Sequence, residues 1–294
     1  MTASCPRQEI FKHDGLEIAW LDWGGSGDPL VLLHPNGFCA GIYDPLAKQL
    51  KSSFRVIAVD LRGHGSSEFV ADEKRLGNDD MASDVLAIIN HLNFQDFYLL
   101  GVSLGGGVAI ETAVLAKKRV KALMLIEAIA MPVSDDISHE KFQQQPRGSH
   151  PLAVGARKRR VVWPDRSTVI ESYGSRPPLN SLTSEALEAY VNWGFKDRED
   201  GQIELACAPE TEAIIFDSNR HGPIESFKKL SHVESPSSVL YGSESDLIPA
   251  WFEQQAEILG VKAEKINGSH FFLFEDTERA EKIIRSHFLR STDE

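Results

Sequence analysis

Four short apolar runs punctuate the first 130 residues: Leu30-Val31-Leu32-Leu33, Arg55-Val56-Ile57-Ala58-Val59, Phe97-Tyr98-Leu99-Leu100 and Ala122-Leu123-Met124-Leu125-Ile126. Each is bounded by turn-forming residues and shows no alternation, the pattern of strands covered on both faces in a parallel sheet. Between them the spacing lengthens to the helical period. Met81, Val85, Ile88, Ile89 and Leu92 share one face, with Asn78-Asp79-Asp80 as capping candidates, and Val108 to Ala116 reads as a second helix. This alternation predicts a mostly parallel, doubly wound α/β sheet.

From Met131 to about Ile224 the pattern changes. No clear apolar strand run occurs; polar helical stretches such as Ser184 to Tyr190 are broken by Pro132, Pro146, Pro151, Pro164, Pro177, Pro178 and Pro209. Strand character returns at Ser237 to Tyr241 and Val261 to Ile266, and Thr277 to Leu289 reads as a closing helix. The expected organisation is a core of residues 1–130 and 225–294, split by a helical cap insert of residues 131–224. No internal repeat is present.

Gly101-Val102-Ser103-Leu104-Gly105 follows one predicted strand directly and opens the helix Val108 to Ala116. A serine on so tight a strand-to-helix turn takes a strained backbone conformation, and its close neighbours must lack a Cβ; Gly101, Gly105 and Gly106 meet that need. The turn lifts the hydroxyl above the sheet and aims the helix N-terminus at developing negative charge. Ser103 is the expected nucleophile.

Three glycine-rich stretches stand in order: His34-Pro35-Asn36-Gly37-Phe38, Asp60-Leu61-Arg62-Gly63-His64-Gly65-Ser66-Ser67 and Gly101-Val102-Ser103-Leu104-Gly105-Gly106. Gly268-Ser269-His270-Phe271-Phe272 completes the set near the C-terminus. In these motifs the chain resembles the α/β-hydrolase family, in its capped, carboxylesterase-like serine-hydrolase form. The likeness covers nearly all of the chain outside the insert. It implies an α/β-hydrolase fold and the chain order serine, acid, histidine.

A serine hydroxyl needs a neighbouring base. Of ten histidines, His34 and His64 lie in loops where the family uses the residue structurally, whereas His270 lies on a loop that the fold brings over the elbow. His270 is the expected base. A carboxylate must fix its tautomer; Asp246, just beyond the strand ending at Leu240, resembles the family's usual acid position and is the expected acid. Glu127, at the end of the run Ala122 to Ile126, is the competing acid, otherwise expected to shape the pocket floor or an entrance. The oxyanion hole is expected to use the N–H groups of Leu104 and, by resemblance, Asn36. Pro35 stands where glycine is usual and has no N–H to offer. An asparagine here also resembles haloalkane dehalogenases, but those and the related epoxide hydrolases use an aspartate nucleophile, and Ser103 argues against both.

Composition narrows the partners. With 43 acidic against 31 basic residues, the formal charge of −12 excludes a broad nucleic-acid footprint. The run Arg157-Lys158-Arg159-Arg160 is expected to be a solvated helix face rather than an anion site. No stretch reaches the ~18 apolar residues of a membrane span, and residues 1–6 lack a basic region followed by an apolar core, so no secretory signal is expected. Three cysteines, Cys5, Cys39 and Cys207, are expected to be free thiols of a cytoplasmic protein, with Cys39 packing as a small hydrophobe. No metal or cofactor motif appears; Gly24-Gly25-Ser26-Gly27 lacks the setting of a dinucleotide fingerprint. A monomer or homodimer is expected.

Phe38, Phe271 and Trp163 are the expected pocket residues, with Tyr173, Tyr190, Trp193 and Phe195 as further aromatic candidates from the insert. The expected activity is cofactor-free hydrolysis of small to medium carboxylic esters through an acyl-enzyme. The same triad would serve a carbon–carbon bond (diketone) hydrolase or a lactonase. A ligand receptor on a hydrolase scaffold is the alternative of a different class.

Overall fold

A computed structural model describes residues 5–70, 72–132, 148, 150–218 and 222–290. Residues 133–147, where the insert was expected to begin and where Pro146 falls, lie outside the described residues.

Eight strands form one sheet: β1 (Arg7–His13), β2 (Leu16–Gly24), β3 (Asp28–Leu33), β4 (Phe54–Val59), β5 (Phe97–Val102), β6 (Val120–Ile126), β10 (Ser237–Gly242) and β11 (Ala263–Ile266). Their order is β1-β2-β4-β3-β5-β6-β10-β11. Only β2 runs antiparallel to its neighbours, β1 and β4; every other pairing is parallel. Five of the six runs read from the sequence fall within strands, and the sixth, Val261 to Ile266, contains β11 but starts two residues before it. The hairpin β1–β2 did not stand out, because β1 is an exposed edge whose side chains only half-alternate. Its sequence signal is Asp14-Gly15, a two-residue loop with φ 49° and 74° that fits the right-handed twist of the strands it joins.

The continuous apolar runs have a direct cause. Leu30 and Leu32 join one core, which includes Phe54, Tyr98 and Phe288; Val31 and Leu33 join another, which includes Val85, Ile88 and Val108. Successive side chains leave a strand on opposite faces, so a sheet covered on both sides needs apolar residues throughout.

Between β6 and β10 lie helices Pro151–Arg157, Arg166–Gly174, Ser184–Gly194, Pro209–Ser218 and Gly222–Lys229. This segment also carries a three-stranded antiparallel sheet, ordered β7 (Val162–Trp163), β9 (Ile203–Leu205), β8 (Phe195–Asp197). Strands of two or three residues are too short to show a period, so the helical expectation missed them. The segment shares the core of the first sheet face: Trp163, Val169, Tyr190 and Phe195 pack in the same cluster as Phe54 and Leu100. Trp193 lies against Gly41 and Phe195 sits in that cluster, so both are packing residues.

Candidate active site

Ser103 sits between β5 and the helix Leu104–Ala116 with φ 56° and ψ −115°, a conformation costing about 1–3 kcal/mol for a residue with a side chain. Surrounding bonds hold it there. Its N–H donates to Ile126 O at 3.0 Å, and its carbonyl accepts from Gly106 N at 2.9 Å and Ile129 N at 3.0 Å. The glycines of the turn are required by close approach: a Cβ on Gly105 would lie 2.2 Å from Leu33 O, and one on Gly101 would lie 2.1 Å from Gly105 O.

His270 lies on the loop after β11. Glu244 N donates to Gly268 O at 2.9 Å, and the Glu275 carboxylate accepts from the Ser269 N–H and hydroxyl, which fixes the loop. The ring's Nδ1 is 2.9 Å from Glu127 Oε2. Glu127 is fully buried at the end of β6, with φ 50° and its N–H bonded to Leu240 O at 2.9 Å. Its carboxylate also accepts from Gly242 N at 2.5 Å and Ser245 Oγ at 2.7 Å.

The structure brings Glu127, the competing candidate, to the His270 imidazole and does not bring Asp246 there. Asp246 is exposed at the cavity wall and makes no hydrogen bond or ion pair to the described residues, whereas Glu127 holds the imidazole. The physical reason is the route of the chain after β10. Gly242 and Ser245 turn their donors inward onto Glu127, which leaves Asp246 outside the turn.

The loop after β3 forms a turn closed by Phe38 N to Pro35 O at 3.2 Å, with Gly37 at φ 75° in its third position. Gly37 N donates to His64 Nε2 at 3.1 Å. Among the described residues, neither the Asn36 nor the Leu104 N–H finds an acceptor in the protein. Both residues line the cavity beside Ser103. The Asn36 side chain is occupied elsewhere, its Nδ2 donating to Glu212 O at 3.0 Å.

His34 and His64 are structural. His34 Nδ1–H donates to Pro35 O at 2.8 Å and Nε2 accepts from Leu61 N at 3.0 Å; His64 Nδ1–H donates to Arg62 O at 2.9 Å. Burial pushes the His64 pKa down to about 4 and that of His34 well below its usual value, so both are neutral ties between loops. Asp60 joins the same loops, accepting from Ala40 N at 2.6 Å and Ser66 N at 2.9 Å; burial raises its pKa to about 6.

Ser103, His270, Asn36, Leu104, Phe38, Trp163 and Phe271 all line one cavity of about 1330 Å³. No hydrogen bond joins Ser103 Oγ to His270, though the two share this wall. Phe38 packs on Phe271 and Tyr190 with ring centroids 5.3 and 4.7 Å apart. Tyr173 and Tyr190 also reach the cavity; Trp193 and Phe195 do not.

The basic run departs from its expectation at Arg159, whereas Arg157, Lys158 and Arg160 are exposed. Arg159 is not on a solvated face: it lines the cavity, half-buried, and pairs with Glu212. Arg157 pairs with Glu210 and Asp217 on the outside. Lys158 and Arg160 also border the cavity but are exposed; nothing in the order of the four basic residues marks Arg159 as the half-buried, paired one, and Glu212 lies too far along the chain to pair by spacing. Among the described residues no three His, Cys, Asp or Glu side chains gather as metal ligands, and no helix is long and apolar enough to cross a membrane. All three cysteines are free, Cys39 and Cys207 buried and Cys5 exposed.

A family model described as alpha/beta hydrolase fold matches residues 28–158. A 3-hydroxybutyrate-oligomer hydrolase of Cupriavidus necator is 31% identical over 252 residues, covering 79% of this chain and 78% of that protein. A bifunctional esterase/perhydrolase of Acinetobacter calcoaceticus is 26% identical over 265 residues, covering 82% of this chain and 83% of the relative. The solved structure of an E-2-(acetamidomethylene)succinate hydrolase has a TM-score of 0.78 and 19% identity, covering 96% of this chain and 98% of its own, a likeness of fold.

Proposed function

The chain belongs to the α/β-hydrolase family, and on that premise we propose that it is a serine hydrolase cleaving carboxylic esters through an acyl-enzyme on Ser103. The observation that carries this reading is the strained Ser103 turn, whose cavity also takes His270 on its Glu127 anchor. One relative is named an esterase/perhydrolase and another a 3-hydroxybutyrate-oligomer hydrolase, and the first of these names supports the substrate class.

The mechanism follows from the bonding. Glu127 accepts from Nδ1–H, so the lone pair of His270 lies on Nε2. Nε2 takes the Ser103 proton as Oγ attacks the ester carbonyl; such contacts commonly tighten only when substrate is bound. The oxyanion receives the N–H groups of Leu104 and Asn36, with the helix Leu104–Ala116 pointing its positive end at the same place. The intermediate collapses and His270 protonates the departing alkoxide. Water, deprotonated by Nε2, then attacks the acyl carbon and releases the acid, restoring Ser103.

The described residues of the segment between β6 and β10 serve as a cap, with Trp163, Tyr173 and Tyr190 lining the cavity that Ser103 also lines. The cavity exceeds the roughly 300–1,000 Å³ of ordinary small-ligand pockets, which favours medium-sized esters over acetates. A panel of esters graded by acyl and alcohol size, run on wild type and Ser103→Ala, tests the proposal. Turnover that depends on Ser103 and peaks above the shortest acyl chains is expected; no hydrolysis of any ester by the wild type would contradict it.

A further inference from the structure

Arg159 and Glu212 come from separate parts of the segment between β6 and β10, yet they meet at the turn that carries Asn36. We propose that Arg159, Glu212 and Tyr190 form a clamp that positions the oxyanion loop, so that this segment completes the catalytic site as well as covering it. The proposal rests on the serine-hydrolase reading for its kinetic consequence and on the bonding alone for its structural one.

Three contacts reach the turn from the segment between β6 and β10. Glu212 O accepts from Asn36 Nδ2 at 3.0 Å. Tyr190 OH donates to Gly37 O at 3.0 Å. The Glu212 carboxylate fills the space beside Gly37, where a Cβ would lie 2.6 Å from the carboxyl carbon. Arg159 ties these together: NH1 pairs with Glu212 Oε2, and NH2 donates to Tyr190 OH at 2.7 Å and to Tyr173 OH at 3.2 Å.

The direction of the chain is fixed by chemistry. A guanidinium only donates, so the Tyr190 oxygen must accept from Arg159, and its single proton is then committed to Gly37 O. The far side of the turn is held by His64, which accepts from Gly37 N. The Gly37 carbonyl and the Asn36 side chain are thus held from one side and the Gly37 N–H from the other, which leaves the Asn36 N–H as the free donor. The Arg159 and Glu212 side chains are only 19% and 12% exposed, where pairing is little screened by solvent. With Glu212 beside it, the guanidinium is already neutralised, which argues for a positioning role over capture of a substrate anion.

Tyr190→Phe removes only the hydroxyl and keeps the ring packing, and Arg159→Met removes the charge; the double variant tests whether they act in series. Displacing one donor of an oxyanion hole by a fraction of an ångström predicts a 10- to 100-fold loss in kcat with KM within about threefold. The double variant should lose no more than the worse single one, because either change breaks the same chain. Amide exchange of Gly37 and Phe38 should quicken at least tenfold in each variant. Unchanged exchange with kcat within twofold of wild type would overturn the clamp, as would a loss confined to KM. Were the wild type to hydrolyse no ester, the functional reading would fall and exchange alone would decide: faster exchange would uphold the clamp and unchanged exchange would overturn it.

Discussion

Replacing Glu127 by Gln changes one oxygen for an NH2 at a site where three donors converge: Gly242 N–H, Ser245 O–H and His270 Nδ1–H. If the amide oxygen keeps the place facing Gly242 N, the NH2 faces His270, and the ring must accept at Nδ1 and carry its proton on Nε2. That is the tautomer that cannot take a proton from Ser103. If the amide turns over, the NH2 points at the Gly242 N–H and a buried donor loses its acceptor, at about 1–3 kcal/mol. The first arrangement wins, so the loss falls on catalysis. Setting the wrong tautomer in a triad costs on the order of ten-thousand-fold in kcat, or about 5.5 kcal/mol at 1.36 kcal/mol per decade. Asp246→Asn alters an exposed group with no bonded partner among the described residues and should leave kcat within threefold. The assay is initial-rate hydrolysis of a p-nitrophenyl ester by both variants at 25 °C, with a thermal melt to show each is folded. A thousandfold loss in Asp246→Asn, with Glu127→Gln near wild type, would refute the reasoning.

Two further predictions concern stability. Gly105→Ala would drive a methyl to within 2.2 Å of Leu33 O and should lower the calorimetric midpoint by several degrees, whereas Gly155→Ala meets nothing within 4 Å on its helix and should raise it. The helical gain is about 0.5–1 kcal/mol, or roughly 1–4 °C at this size; a rise for Gly105→Ala would contradict the packing account. Acid should destabilise the fold through its buried histidines. The His64 pKa falls from 6.5 unfolded to about 4 folded, so its neutral form stabilises fully above pH 6.5, and about 3 kcal/mol drains away as pH falls through 4. His34 adds to this in the same direction. Asp60, raised from 3.8 to about 6, opposes them: it contributes most below pH 3.8, and about 3 kcal/mol is lost as pH rises through 6. The melting midpoint should fall from pH 7 to 4, and His64→Gln should shrink that fall; a wild-type midpoint that rises on acidification contradicts the assignment.

The sheet was legible because burial on both faces leaves an uninterrupted apolar signature, as in Leu30 to Leu33. The elbow was legible because its strain demands glycine at Gly101 and Gly105. His270 followed from chain order. The partner of His270 did not, since Asp246 and Glu127 both follow strands and resemblance favoured Asp246; which one reaches the imidazole depends on where Gly242 and Ser245 turn their donors. The pair Arg159–Glu212 was hidden for a related reason. A contact 53 positions apart, between a charge run and a helix, carries no periodic mark until the chain is folded.

The central claim is that Ser103 forms the covalent intermediate. Mass spectrometry of wild type and Ser103→Ala after treatment with a fluorophosphonate, alongside ester turnover, tests it directly. The account predicts one adduct, on the peptide bearing Ser103, absent from Ser103→Ala together with at least a thousandfold of the turnover. An adduct elsewhere, or ester hydrolysis that persists in Ser103→Ala, would contradict it.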